Sequence, residues 1–442
     1  MLAYPGLFLA MAGDAVRYSI GWLGWSVALT LAIFTSVGFL YVYDSRPMLR
    51  RVPPLFLGFM AWLTLSVIWS QYQPQTLMTV SMQLGGTLFA LFLANHFGWR
   101  QLLNVLSNTV RFVLVSSLLF ELLAALIGPI EPLFPNYEGE PPAASYLWSQ
   151  GNLFEGERIQ GIVGNANLLA FVAALGLFLF LIELIVTAGK RWIPALSIVL
   201  AIALFVLARS AGMTVAIALI TFAALVAILA EGRTYSQRRV VYAWAFAALA
   251  TVATVAALFY RQLFDLLGRS PDASGRFYIW DKVLDLILEK PTVGWGWTGY
   301  WIPGIEPWEG LVVINSVPMY QAHNAYLDVW LQLGLIGLAL FVAMIAQGFI
   351  RAWRVAVRHT SPLYLYPLFI LLAILGQSLT ESRLLIEISW ILLVVVLVKS
   401  REGFTQLEPM GRSTKLTKLA RAGKRSFRKL GLFDRSLPGP PN

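Results

Sequence analysis

Apolar residues run through most of the chain in long stretches that are separated by short polar segments. A hydrocarbon core about 30 Å thick requires roughly 20 apolar helical residues for each crossing of a membrane. The pattern therefore predicts about eleven membrane-spanning helices, at residues 20–43, 52–70, 75–96, 103–128, 161–187, 191–208, 211–230, 240–260, 324–350, 363–381 and 384–399. We expect an all-α fold, a polytopic transmembrane helical bundle of about 11–12 spans, because helices satisfy their own backbone hydrogen bonds in lipid.

The opening segment, MLAYPGLFLAMAGD, is too short to cross a membrane alone and lacks the positive start of a secretory signal. We expect it to form a half-span or part of a twelfth helix. The composition agrees with a membrane protein, because 58% of the 442 residues are hydrophobic and 13% are charged. The chain contains no cysteine, which excludes disulfides and thiolate metal sites.

Lysine and arginine are concentrated in alternate short loops between the predicted spans. Cytoplasmic loops retain positive charge, so these loops are expected on the cytoplasmic side. Their basic residues are Arg46, Arg50, Arg51, Arg100, Lys190, Arg191, Arg233, Arg238, Arg239, Arg351, Arg354 and Arg358. The other loops, which include residues 129–160 and the long polar segment 261–323, are then expected to face outside.

The C-terminal sequence KLTKLARAGKRSFRKL interleaves basic residues with leucine and phenylalanine, and it contributes to the net charge of +10. This pattern is typical of a segment that lies on an anionic membrane surface. We therefore expect a transmembrane domain at residues 1–400 and a basic cytoplasmic tail at residues 401–442, either surface-associated or disordered. We expect the positive charge to contact membrane lipids, and we do not expect it to bind nucleic acid.

Segment 261–323 is the longest water-compatible stretch within the hydrophobic region. Arg276 lies within this loop, and His323 closes it immediately before the next span. Two further arginines occupy other outward loops: Arg158 precedes a predicted membrane entry, and Arg209 lies in a turn between two spans. Three arginines and one histidine are therefore predicted at helix ends on the same face of the membrane.

These residue types suit an anionic substrate. Arginine stays charged when partly buried and binds phosphate oxygens through two hydrogen bonds at once. Neutral histidine can accept a proton from a sugar hydroxyl. Glycosyl transfer from a lipid diphosphate without a bound metal would need these two parts, a cluster of arginines and a base. Each residue also has a structural interpretation, because the arginines could reach lipid headgroups and the histidine could simply begin a helix.

Three asparagines lie beside these residues. Asn165 and Asn167 follow Arg158 at the start of a helix, and Asn324 follows His323. They are either substrate-binding residues or residues that cap and connect helices. The aromatic residues of the long loop are likewise either an interfacial belt or rings that stack on sugars; they are Trp295, Trp297, Tyr300, Trp301 and Trp308.

Within the long loop, residues 277–289 carry apolar side chains at roughly helical spacing. These side chains are Ile279, Val283, Leu284, Ile287 and Leu288. The spacing predicts an amphipathic helix. Such a helix is compatible with a lid over a site and with a peripheral interfacial position.

Three stretches, RIQGIVGNANLLAF, SGRFYIWDKVLDLILEKPTVGWGW and AHNAYLDVWLQLGLIGL, follow one another along the chain. In this order and spacing they resemble the successive signatures of the O-antigen ligase and polymerase superfamily. The resemblance extends from about Arg158 to Trp390 and agrees with the span count and the single long loop. Two positions differ from the family pattern, because Ala208 precedes Arg209 in place of serine and Ala166 stands in place of proline.

The resemblance implies a metal-independent, inverting membrane glycosyltransferase without a cofactor. Its donor would be an undecaprenyl-diphosphate-linked oligosaccharide, transferred or polymerised onto a hydroxyl of a glycan or lipid acceptor for cell-surface polysaccharide biosynthesis. The active face would be extracytoplasmic on the bacterial cytoplasmic membrane, with other polysaccharide-assembly membrane proteins as partners. By the same similarity His323 corresponds to the catalytic base, Arg276 to a catalytic residue, and Arg158, Arg209 and Arg276 to the residues that bind the diphosphate.

Other functions remain open at this stage. A ligase and a polymerase differ only in their acceptor, which the sequence does not define. A transporter or flippase of lipid-linked glycans would carry ionisable residues near the midplane and internal repeats. The candidates are Arg111, expected near a cytoplasmic helix end, and Glu121, expected to contact another helix. A non-catalytic assembly factor is the third alternative, and it would not depend on His323 or Arg276.

Overall fold

The computed structural model describes residues 2–42, 52–135, 143–260, 262, 275–314, 317–359 and 361–400. Within these residues the regular structure is almost entirely helical. The α-helices are α1 (Ala3–Met11), α2 (Gly13–Val42), α3 (Pro54–Leu65), α4 (Gln73–His96), α5 (Trp99–Ile127), α6 (Ala166–Val186), α7 (Trp192–Ala208), α8 (Ala211–Ala230), α9 (Tyr235–Leu258), α10 (Arg276–Glu289), α11 (Ala325–Arg358), α12 (Tyr366–Ser378) and α13 (Glu387–Lys399). Two short antiparallel strands, β1 (Val313–Ile314) and β2 (Val317–Pro318), lie between α10 and α11.

A helix occupies each of the eleven predicted spans, so the prediction of a polytopic all-α fold is confirmed. Among the described residues, seven helices are long and apolar enough to cross a membrane: α2, α4, α5, α6, α8, α9 and α11. The helical segments at 54–68, 192–208 and 362–378 are shorter but also apolar. The opening segment forms the short helix α1, whose residues Ala3, Leu7 and Met11 are buried.

The predicted span at 161–187 begins later than its hydropathy suggests. Residues 161–164 form turns, and Gly161 and Gly164 have φ values of 62° and 64°. This left-handed backbone is favourable for glycine and is not helical. Helix α6 therefore starts after Asn165, and residues 159–161 before it bond Glu121 of α5 and Leu207 of α7.

Several predicted features fall partly or wholly outside the described residues. These are the basic loop with Arg46, Arg50 and Arg51, residues 136–142 of segment 129–160, residues 261, 263–274 and 315–316 of the long loop, and the basic tail at 401–442. The amphipathic helix predicted at 277–289 is present as α10, which begins one residue earlier. It buries Ile279, Val283 and Ile287, whereas Leu284 and Leu288 are exposed, so the buried stripe is narrower than the apolar pattern.

The core of the bundle is built around α6 and α13, whose side chains are mostly buried. Helix α9, in contrast, has no buried residue although it is strongly apolar. A largely exposed apolar helix is stable in lipid, where its surface meets hydrocarbon instead of water. The fold therefore combines a protein-packed centre with a periphery suited to a bilayer.

A second, smaller apolar core lies in the loop region that contains α10. Trp295, Trp301 and Trp308 are at most 7% exposed there, and they pack with Ile279 and Val283. Trp301 and Trp308 stack with ring centroids 6.0 Å apart. The tryptophans predicted as an interfacial belt or as sugar platforms thus form much of this core. They pack the described part of the loop against α10, whereas Trp297, which is also buried, belongs to the main core.

Candidate functional site

The carboxylate of Glu381 lies between α12 and α13 and joins three distant parts of the chain. Its Oε1 accepts hydrogen bonds from Nδ2 of Asn167 at 2.7 Å and from Nη2 of Arg276 at 3.3 Å. Its Oε2 pairs with Nδ1 of His323 at 3.0 Å and accepts from Nε2 of Gln321 at 3.3 Å. Glu381 is only 4% exposed, so these contacts form in a nearly dry environment.

Arg276 is the first residue of α10, and its side chain belongs to this cluster. The residue before it, Gly275, has a φ of 81°, and a side chain there would meet Ile314. This turn directs the start of α10 toward the turn after α12. Nη2 of Arg276 also donates to the carbonyl oxygen of Thr380 at 3.1 Å, so the guanidinium is held by both a backbone and a carboxylate acceptor.

His323 is held in a strained backbone position immediately before α11. Its φ of 50° lies in the left-handed region, which is costly for a residue with a side chain. The next residue, Asn324, caps α11 by accepting from the backbone N–H groups of Tyr326 and Leu327. The strain is compensated by fixed contacts on both sides of His323.

Asp328, one turn into α11, supplies the contact on the N-terminal side of His323. It is fully buried, and its carboxylate accepts from Nε1 of Trp301 at 2.8 Å and from the backbone N–H of Ala322 at 2.9 Å. It also accepts from the hydroxyl of Ser382. Asp328 therefore fixes the residue before His323 and the residue after Glu381, which sets the distance between the two.

Arg158 approaches the same cluster through Asn167. Its Nη2 donates to Oδ1 of Asn167 at 2.7 Å, and its Nε donates to the carbonyl oxygen of Ala208 at 3.0 Å. The hydroxyl of Ser210 donates to the same Asn167 oxygen at 3.1 Å. Asn167 thus connects Arg158 on one side with Glu381 on the other.

The loop that carries Arg158 is anchored by Glu121 of α5. Its Oε1 accepts from the backbone N–H groups of Gln160 at 3.0 Å and Gly161 at 2.6 Å, and its Oε2 accepts from Ser149 at 2.9 Å. Among the described residues, Glu121 therefore contacts loop residues and not the other helix that was expected. Arg111 forms a 2.8 Å ion pair with Glu183 and bonds Ser197, which joins α5, α6 and α7.

The structure separates the sequence-predicted residues into two groups. Arg158, Asn167, Arg276 and His323 meet in one cluster, and all four line one cavity. Asn165 and Asn324 each use the side-chain oxygen to cap a helix, α6 and α11 respectively. The side chain of Arg209 is exposed, and Arg209 does not line that cavity. Substrate binding by these three residues stays a prediction.

The cavity beside the cluster has a volume of about 470 Å³. Its polar side carries the two arginines, Asn167, Ser210 and His323, and its other walls come from α8, α10 and the end of α12. Among the apolar lining residues are Leu219, Phe277, Trp280, Met319 and Leu379. A pocket of this size with a few convergent polar groups is typical of small-ligand sites.

The carboxylate of Glu381 determines which ring nitrogen of His323 carries the hydrogen in their pair. Burial raises the pKa of the Glu381 carboxyl, but His323, followed by Arg276 and Arg383, outweighs burial and lowers the pKa to about 2. An ionised carboxylate only accepts hydrogen bonds, so Nδ1 of His323 carries the hydrogen in this pair. In neutral His323 the free lone pair is then on Nε2, which suits a general base.

Glu381 is not among the residues that the sequence predicts for the site. Once the fold is known, a buried acid beside a predicted histidine and arginine indicates a functional site. Within the described residues, no group of three or more His, Asp or Glu side chains is placed to hold a metal ion.

Comparison with known proteins adds independent information about this region. The family described as O-antigen ligase matches residues 196–342. The resemblance to the O-antigen ligase superfamily is confirmed. The matched residues run from within α7 into α11 and include Arg209, Arg276 and His323, whereas Arg158 and Glu381 lie outside them.

The chain is also similar to the exopolysaccharide production protein ExoQ of Rhizobium meliloti (strain 1021). The two sequences are 24% identical over 237 residues. This alignment covers 51% of the present chain and 51% of ExoQ, so the chain spans about half the length of this relative.

Proposed function

We propose that this protein is a membrane glycosyltransferase of the O-antigen ligase and polymerase type. It would transfer or polymerise an undecaprenyl-diphosphate-linked glycan onto an acceptor hydroxyl on the outer face of the bacterial cytoplasmic membrane. The observation that carries the proposal is the 3.0 Å pair between His323 and Glu381 beside two arginines at one cavity. The family match and the similarity to a polysaccharide production protein support the same class of reaction.

In this mechanism the acceptor hydroxyl gives its proton to Nε2 of His323 while its oxygen forms a bond to the anomeric carbon of the donor. The bond between that carbon and the diphosphate oxygen breaks, and the leaving lipid diphosphate takes the electron pair. Attack opposite the leaving group inverts the configuration at the anomeric carbon. Glu381 does not react; it holds the imidazole and stabilises the positive charge that develops on it.

Arg158 and Arg276 are the proposed binding groups for the diphosphate. The cluster contains two guanidinium groups and one carboxylate: Arg276 bonds Glu381, and Arg158 is linked to it through Asn167. It therefore retains positive charge when His323 is neutral. Charge that accumulates on the leaving diphosphate would be stabilised by groups already held in place by Ala208, Asn167 and Thr380. The proposed rate enhancement comes mainly from this electrostatic stabilisation and from positioning.

The proposal is tested by transfer with purified protein in liposomes. Undecaprenyl-diphosphate oligosaccharide is supplied as the donor, with a chelator and without added divalent metal. The expected products are an extended or ligated glycan with inverted linkage and free undecaprenyl diphosphate in equal amounts. Movement of intact donor between leaflets without any cleavage would instead favour the transporter interpretation.

A further inference from the structure

A second cavity, of about 430 Å³, lies on the other side of the turn that carries Glu381. It is enclosed by the first turns of α2, by α4 and α13, and by the loop residues 297–300. Ser382 contacts Asp328 in the first site, and the next residue, Arg383, lines the second cavity. The two cavities therefore flank one short segment of chain.

Four buried hydrogen-bonding groups of the residues that line this second cavity have no protein partner. They are Nε1 of Trp25, Nε2 of Gln83, Oγ1 of Thr298 and the hydroxyl of Tyr300. Trp25, Gln83 and Thr298 are at most 7% exposed. Unsatisfied buried polar groups are rare in folded proteins, because each has lost its hydrogen bonds to water without a replacement. Four of them around one cavity, within the described residues, point to a ligand that carries several hydroxyl groups.

The charged residues of the second cavity form a closed ring without net charge. Arg17 bonds Asp14 at 2.6 Å and Glu387 at 3.0 Å. Arg383 bonds Glu387 at 3.2 Å and lies 3.9 Å from Asp14. Because each arginine already faces two carboxylates, this ring does not favour an anion. It offers N–H donors and carboxylate acceptors together, which is the combination that vicinal sugar hydroxyls require.

Aromatic rings complete the cavity wall. The guanidinium of Arg17 lies 5.1 Å from the ring centre of Trp22 and 5.0 Å from that of Trp25. Trp297 and Tyr300 also line this cavity. Aromatic faces beside paired charges accommodate the C–H surface of a sugar ring while its hydroxyls reach the polar groups. The two cavities thus differ in chemistry, since one is suited to a diphosphate and the other to a neutral saccharide.

We propose that the second cavity binds the saccharide of the acceptor. This inference rests on the proposed function, in which the first cavity holds the donor diphosphate. The turn at residues 380–383 borders both cavities, with Thr380 lining one and Arg383 lining the other, and it would keep the donor and the acceptor adjacent. Tyr300, Gln83 and Trp25 are the residues expected to bind acceptor hydroxyls.

The test separates acceptor binding from chemistry. The probe is an oligosaccharide released by mild hydrolysis from the polysaccharide of the source strain, and its binding to protein in nanodiscs is measured by calorimetry. We expect Tyr300→Phe to raise both the Kd and the acceptor KM about tenfold, the effect of one lost hydrogen bond, and to leave donor KM and kcat unchanged. Gln83→Leu provides a second variant, and Tyr235→Phe, an exposed tyrosine, is the matched control.

The outcomes distinguish this proposal from the proposed function. His323→Ala should bind the oligosaccharide as the wild type does while transfer is lost. Unchanged Kd and acceptor KM in Tyr300→Phe and Gln83→Leu would overturn the acceptor site even if transfer is observed. Oligosaccharide binding that depends on Tyr300 without any transfer would keep the saccharide site and overturn the proposed function. A co-purified phospholipid that is lost in both variants, with no saccharide effect, would identify a lipid site instead.

Discussion

Nδ1 of His323 lies 3.0 Å from Oε2 of Glu381, although the two residues are 58 positions apart. The pair forms because Asp328 binds Ala322 and Ser382, the neighbours of these two residues in the chain. A histidine oriented by a buried carboxylate recurs in enzymes that remove a proton from a hydroxyl nucleophile. The pair is therefore the feature of this protein that most directly indicates chemistry.

Glu381→Gln tests whether the carboxylate positions the base. We expect kcat for glycan transfer to fall by about 100-fold or more, because an amide neither fixes the Nδ1 hydrogen nor stabilises the imidazolium. The donor KM should change much less than kcat. Steady-state kinetics in liposomes measure both values, with Glu289→Gln on the exposed face of α10 as the matched control. An unchanged kcat would remove Glu381 from the mechanism.

Arg276→Lys and Arg158→Lys test the diphosphate contacts. Lysine keeps the charge but cannot form two parallel hydrogen bonds, so kcat/KM for the lipid donor should fall about tenfold or more in each variant. Arg209→Ala is the informative comparison, because the Arg209 side chain is exposed and does not line the cavity. It is expected to have a smaller effect. An equal loss in Arg209→Ala would instead include Arg209 in the diphosphate site.

The low pKa of Glu381 gives a defined dependence of stability on pH. Because this pKa is lowered from 4.5 to about 2 in the fold, the ionised carboxylate contributes stability that is complete above pH 4.5. The contribution is lost as the pH falls toward 2. The difference in thermal unfolding midpoint between wild type and Glu381→Gln should thus be constant from pH 7 to 5 and shrink below pH 4.5. A difference that grows with acidification would contradict the assignment.

Asp328→Asn tests whether the hydrogen bonds of Asp328 to Ala322 and Ser382 hold His323 and Glu381 together. The buried carboxylate accepts hydrogen bonds from Trp301, Ala322 and Ser382. In the variant, a donor that faces the amide nitrogen loses its acceptor and stays unsatisfied. We expect a loss of about 1–3 kcal/mol in stability together with reduced kcat. Thermal unfolding and transfer rates are measured beside Asp285→Asn, an exposed position on α10. Wild-type stability in Asp328→Asn would show that these hydrogen bonds are dispensable.

Hydropathy was sufficient to predict the bundle and the helix at 277–289, because both depend on local apolar spacing. Arg158, Arg276 and His323 could also be selected, since each lies at a junction between an apolar run and a polar loop. Glu381 could not, because one acid in a short turn has no local signal for its burial. Its role arises only when the turns before α6, α10 and α11 meet beside it.

The roles of the asparagines and tryptophans show the same limit. Asn165 and Asn167 are two residues apart, yet one caps α6 and the other bridges Arg158 to Glu381. Which asparagine faces the cluster depends on where α6 begins, and the turns at Gly161 and Gly164 decide that start. In the sequence, Trp301 and Trp308 are aromatic residues within a polar loop. Only tertiary packing makes them part of a core.

The central claim is that His323 removes the acceptor proton during transfer from a lipid diphosphate. The most direct measurement is single-turnover transfer from undecaprenyl-diphosphate oligosaccharide in liposomes, comparing wild type with His323→Ala at matched folding and donor saturation. The account predicts that His323→Ala loses at least about 100-fold in rate, as expected for a general base, while donor binding is retained. Near-full transfer by correctly folded His323→Ala would contradict it.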